Sequence, residues 1–110
     1  LNRPALDKFE GAVIPGKTLL INSSLVDRKA ERTDIEAIYV PANDIANELG
    51  NSKVANMVML GAYIEVAHAV TVDTVMDNLK LMFGERKAHL LPINRQAIER
   101  GMECVREHRK

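Results

Sequence analysis

Gly50 to Ala69, GNSKVANMVMLGAYIEVAHA, decides how the rest of the chain is read. From Val54 to Ile64 the only strongly polar side chain is Asn56, so a helix here is apolar on nearly every face and needs cover on most sides. Gly50 marks its start, with Asn51 and Ser52 as alternative N-caps, and polar Glu65 and His68 mark its end. A membrane span needs roughly 20 consecutive apolar residues, which the run between Lys53 and Glu65 does not reach. The stretch therefore predicts a buried central helix in a soluble core, without a membrane span. Asn56 falls about one turn inside it and is expected to be a buried amide with a hydrogen-bond partner, structural or ligand.

Outward from that helix, the short apolar run Thr18-Leu19-Leu20-Ile21 reads as a strand covered on both faces, and Ile35 to Val40 as a second strand stopped by Pro41. Between them Arg28 to Asp34 is a solvated, mixed-charge connector, in which Arg28 or Arg32 is available to a partner subunit. Before the first strand, Pro4 opens an amphipathic helix carrying Leu6, Phe9, Ala12 and Val13, which ends at Pro15. Asn43 is the expected cap of a short helix through Ile45, Ala46 and Leu49 that ends at Gly50. After the central helix, Thr71 caps an amphipathic helix with Val72, Val75, Met76, Leu79, Met82 and Phe83 on one face, ended by Gly84. The last helix carries Ala97, Ile98, Met102 and Val105, with Pro92 either in its first turn or just before it.

Two strands make a marginal sheet, yet an apolar strand such as Leu19 to Ile21 wants paired neighbours and helices on both sides, and the helices supply those layers. The expected fold is therefore α/β, three-layer αβα. Residues 1–110 would form the carboxyl-terminal portion of one domain with an open sheet. Its upstream strands would come from preceding residues or from another copy of the chain. The chain opens on Leu1 without a Met, so its natural start is expected upstream.

Fifteen basic and fifteen acidic residues balance to zero formal charge, and Trp is absent, so neither a basic field nor a stacking platform favours nucleic acid. The single Cys104 makes no intrachain disulfide and holds no iron–sulfur cluster, which fits a reducing cytoplasm. His68, His89 and His108 lack zinc-ligand spacing, so no metal site is expected, and His68 is expected to meet terminal carbonyls or to lie half-buried. There is no GxSxG, Walker or GxGxxG pattern, and no catalytic residue is assigned. Gly61 is read as allowing close helix packing, and the five Met residues as core filler or an adaptable contact surface. The polar trio Asn22, Ser23 and Ser24 stands at the carboxyl end of the first strand, where open α/β sheets gather ligands; the competing reading is that it bonds its own loop.

Residues 1–26 (LNRPALDKFEGAVIPGKTLLINSSLV), 38–65 (IYVPANDIANELGNSKVANMVMLGAYIE) and 85–103 (ERKAHLLPINRQAIERGME) together resemble the carboxyl-terminal part of the gamma subunit of 2-oxoacid:ferredoxin oxidoreductases. Most specific is VPANDIANELGNSKVANMVMLGA, with its Pro, paired short and long helices and Gly-Asn joint in one order. The LLPIN stretch leans towards the 2-oxoglutarate type, with pyruvate and branched-chain types as alternatives. The resemblance implies a complex that converts a 2-oxoacid and coenzyme A to an acyl-CoA and carbon dioxide and passes electrons to ferredoxin. It implies alpha and beta subunits as partners, with thiamine diphosphate mainly between them and iron–sulfur clusters on Cys-rich chains, so that this chain alone binds no cofactor. A second copy of the chain is the other candidate partner. Asn22, Ser23, Ser24, Asn51, Lys53 and Asn56 are the contact or ligand-proximal candidates. Two other classes stay open: a free-standing nucleotide-binding α/β enzyme, against which the missing Gly-rich turn speaks, and a homo-oligomeric interaction module.

Overall fold

A computed structural model describes residues 17–25, 29 and 31–110. The helix expected over Leu6 to Val13, and Arg28, lie outside them. Strands β1 (Thr18–Asn22) and β2 (Glu36–Val40) pair in parallel, with Leu20 opposite Ile38 and Asn22 opposite Val40. Parallel pairing requires a crossover of a dozen or more residues, which the segment from 23 to 35 supplies. The helices follow as α1 (Ala42–Glu48), α2 (Ala55–Ala67), α3 (Val72–Phe83) and α4 (Leu91–His108). The protein is of the α/β class.

The central helix is real, with one change at its start. Asn51 accepts a hydrogen bond from the Lys53 backbone N–H and caps a 3-10 turn, Ser52–Val54, that leads directly into α2. His68 ends α2 in the left-handed conformation (φ 54°), its N–H donating to the Ile64 carbonyl, and its side chain is exposed rather than half-buried. Because α2 is apolar all round, it serves two cores. Val58 and Ala62 meet Ile38 and Val40 of β2, Ala46 of α1, and Ala97 and Val105 of α4. Ile64 meets Leu79 of α3 and Ile98 of α4. Met57, Met59, Met76 and Met102 pack against these clusters, whereas Met82 is exposed. Thr71 caps α3 by accepting from the Thr74 N–H, Gly84 ends it at φ 62°, and Pro92 lies in the first turn of α4.

The closest approach in the fold joins α2 to α4. A Cβ built on Gly61 would fall 1.9 Å from the Ile98 carbonyl oxygen, and one on Gly101 would fall 1.8 Å from the Val58 carbonyl oxygen. Residue 58 faces 101 while 61 faces 98, so the helices run antiparallel with backbone touching backbone. Gly61 thus has the packing role expected of it, and Gly101 is its counterpart.

Beyond its last turn α4 is tied to the start of the sheet. Arg109 grips the Glu36 carboxylate with Nε (3.0 Å) and a terminal guanidinium nitrogen (2.7 Å), and Thr18 donates to the same carboxylate at 2.9 Å. The Arg109 hydrogen bond, helped by Thr18 and opposed by partial burial, lowers the Glu36 pKa from 4.5 to about 2. A depressed carboxyl pKa stabilises the fold above its unfolded value, and that contribution disappears as pH falls through the folded value. The group is partly solvated, so screening reduces its worth to about 1 kcal/mol. Denaturant melts of wild type and Glu36→Gln at pH 6, 4 and 2 should converge as acid is added, because only the wild type loses this contribution.

Candidate functional site

At the carboxyl end of β1 the chain must turn away from the sheet while α1 begins a few ångströms off, and α1 has no cap of its own. Pro41 occupies its N-cap position without a side-chain hydrogen bond, although Asn43 was the expected cap. The first N–H groups of a helix need outside acceptors. They find them across the sheet end. Asn22 Oδ1 accepts from the Ala42 N–H at 3.1 Å and from the Ser24 N–H at 3.2 Å, and Ser24 Oγ accepts from the Asp44 N–H at 3.2 Å. Asn22 Nδ2 donates to Asn43 Oδ1 at 2.8 Å, so Asn43 braces the capping residue instead of capping. The Ser23 N–H donates to the Val40 carbonyl at 3.0 Å and extends the β pairing by one bond.

Asn22 is only 6% exposed, and both ends of its amide are engaged. The trio therefore joins β1, β2 and α1 in one hydrogen-bonded corner. The hydrogen bonds expected of such a loop are thus present, and they extend from the loop's own backbone to a helix distant in sequence. A short sequence window cannot show it, since the acceptors and donors lie about 20 positions apart.

Asn51, Lys53 and Asn56 form a second group at the entry to α2. Asn51 is engaged as a cap, and Lys53 is exposed. Asn56 is exposed too, which overturns the expectation of a buried amide in need of a partner. The apolar neighbours on either side suggested burial, but α2 turns this position outwards, as it does Tyr63 one face-repeat further on. Asn56→Ala should accordingly change the free energy of unfolding by less than about 0.5 kcal/mol, a value that urea titration resolves.

The buried polar residue that sequence reasoning missed is Asn94, whose Nδ2 donates to the Leu90 carbonyl at 2.8 Å and secures the first turn of α4. Its i to i−4 spacing beside Pro92 was the available signal. Among the described residues no three His, Cys, Asp or Glu side chains converge as metal ligands, and no helix is long and apolar enough to cross a membrane. Burial raises the Cys104 thiol above its ordinary pKa.

Comparisons with known proteins extend this picture. The family described as pyruvate ferredoxin/flavodoxin oxidoreductase matches residues 1–104. The chain is 30% identical over 108 residues to the ketoisovalerate oxidoreductase subunit VorA of Methanothermobacter marburgensis, covering 97% of this chain and 22% of that protein. It is 31% identical over 109 residues to the pyruvate-flavodoxin oxidoreductase of Klebsiella pneumoniae, covering 84% of this chain and 9% of that protein. Its fold is similar to the gamma subunit of a keto/oxoacid ferredoxin oxidoreductase from Geobacter sulfurreducens, with a TM-score of 0.80 and 25% identity over 97% of this chain and 62% of that one. The chain thus spans about a fifth of the ketoisovalerate relative's length and less than two thirds of the gamma subunit's.

Proposed function

This chain belongs to the pyruvate ferredoxin/flavodoxin oxidoreductase family, and from that membership we propose that it is the gamma-type part of a thiamine diphosphate-dependent 2-oxoacid:ferredoxin oxidoreductase complex in the cytoplasm. In that reading the complex joins the acyl group of a 2-oxoacid to coenzyme A, releases carbon dioxide, and hands the electrons to ferredoxin. The alpha and beta subunits are this chain's partners, and its own work is assembly and the shaping of the active-site surroundings. The family match over residues 1–104 carries the proposal, supported by the gamma-subunit fold.

The corner built on Asn22 supports an architectural role. Asn22 and Ser24 supply the acceptors for the first turn of α1, and in this reading they hold the surface around them in place. We place thiamine diphosphate and the iron–sulfur clusters on the other subunits; a single cysteine cannot ligate a cluster. Thiamine diphosphate supplies the carbanion chemistry that releases carbon dioxide when it is bound there.

For the substrate, the LLPIN stretch favours 2-oxoglutarate. A second reading, a branched-chain 2-oxoacid, is favoured by the ketoisovalerate relative. Reconstituted complex assayed for coenzyme A-dependent viologen reduction with 2-oxoglutarate, 3-methyl-2-oxobutanoate and pyruvate decides between them: the true substrate has the highest kcat/KM. Equal and negligible rates with all three would reject the 2-oxoacid assignment itself.

A further inference from the structure

The long helices are not held equally. α2 buries Val58, Gly61, Ala62 and Ile64, and α4 buries Asn94, Ala97, Ile98, Gly101 and Val105, whereas α3 buries Leu79 alone. Val72, Val75, Met76 and Phe83 lean half-buried on the cluster of Ile64, Leu79 and Ile98. The seam between the start of α3 and α4 is open, a cleft of about 330 Å³ lined by Val72, Arg95, Glu99, Met102, Glu103 and Arg106. Asp73 of α3 pairs there with Arg95 at 3.1 Å, but both side chains are exposed, and an ion pair in water holds little.

Both connectors of α3, residues 68–71 and 84–87, are exposed. Each holds one residue of positive φ, His68 at 54° and Gly84 at 62°. Gly84 combines that φ with ψ −166°, a region open in practice to glycine alone, and a Cβ on it would meet nothing within 4 Å. Hinges are a few loop or element-terminal residues that absorb a backbone change, and these two places can absorb one without a clash. The hydrogen bonds that close the ends of α3 are its own, from the Thr74 N–H to Thr71 Oγ1 and from the Gly84 N–H to the Lys80 carbonyl. Moving α3 therefore strips no cap from its neighbours.

We propose that α3 is a flap, which swings off the α2–α4 pair as one unit about its two exposed connectors while the rest of the fold stays closed. Opening gives up the burial of one leucine and uncovers the apolar surface of Ile64, Ile98 and Met102. The backbone contact of α2 with α4 at Gly61 and Gly101 stays intact. Proteins open in such cooperative units at free energies below that of global unfolding, and elements with few buried apolar side chains open first. This proposal is independent of the enzymatic reading.

Hydrogen exchange read by mass spectrometry, on the protein purified in its native assembly, tests it. Relative to their intrinsic rates, amides of residues 75–83 should exchange at least about thirtyfold faster than those of 59–66 and 98–105. Leu79→Ala should speed α3 at least about tenfold further, and the milder Leu79→Val, which keeps the fold, about threefold to tenfold. In Leu79→Val the rates of α2 and α4 should stay within about twofold of wild type, because their own buried contacts are untouched. Protection of α3 equal to that of α2 and α4 overturns the proposal, whether it comes from the packing of α3 itself or from a subunit laid over it. A Leu79→Val variant in which all three helices speed up together, or none does, overturns it too.

Discussion

Gly101→Ala is expected to destabilise the protein by about 2–4 kcal/mol and to lower its melting temperature by roughly 10–20 °C. The added methyl would sit 1.8 Å from the Val58 carbonyl oxygen and 2.9 Å from the Ala62 nitrogen, both backbone atoms that no rotamer change can move. Replacing Gly by Ala inside a helix returns about 1 kcal/mol of propensity. That gain is smaller than the cost of prising α4 from α2 by more than an ångström, which loosens both cores at once. Gly61→Ala should behave alike, since its methyl would meet Ile98 at 1.9 Å. One separation of the helices relieves both clashes, so the double variant should cost clearly less than the sum of the two singles. Thermal and urea melts of the three variants read this out, and singles within about 0.5 kcal/mol of wild type would show that the backbones do not touch.

Asn22→Ala is the second large effect, about 2–4 kcal/mol. It removes three hydrogen bonds and leaves the buried Ala42 N–H without its acceptor, a loss of about 1–3 kcal/mol by itself. Asn22→Asp separates the capping function from the amide. It keeps an acceptor for Ala42 and Ser24, and an Asn43 amide rotated by half a turn offers it a donor. At neutral pH that variant should therefore lie within about 1 kcal/mol of wild type. Equal losses for Ala and Asp in urea titration would mean that capping of α1 is not what Asn22 contributes.

These two sites mark the limit of what the chain discloses by itself. The strands, Thr71, Gly84 and the apolar central helix were legible because each signal is local: a run, a cap or a turn residue. Gly61 was readable because glycine inside an apolar helix has few other uses, whereas Gly101 stood among charged residues on an amphipathic helix and drew no notice. Asn43 misled because it stands where a cap belongs, while the real acceptors, Asn22 and Ser24, come from a strand end about 20 residues earlier. Asn56 misled for the opposite reason. Its neighbours in sequence are apolar, but its neighbours in space are few. The Glu36–Arg109 tether joins residues 73 apart, beyond the reach of any spacing rule.

As proposed above, this chain works as part of a 2-oxoacid:ferredoxin oxidoreductase complex rather than as an enzyme in its own right. Alpha and beta subunits expressed with and without it, then assayed for 2-oxoacid- and coenzyme A-dependent reduction of a viologen dye, test that most directly. The account predicts little or no assembled activity until the chain is supplied, and none from the chain alone. Full turnover by alpha and beta subunits without it would contradict the account.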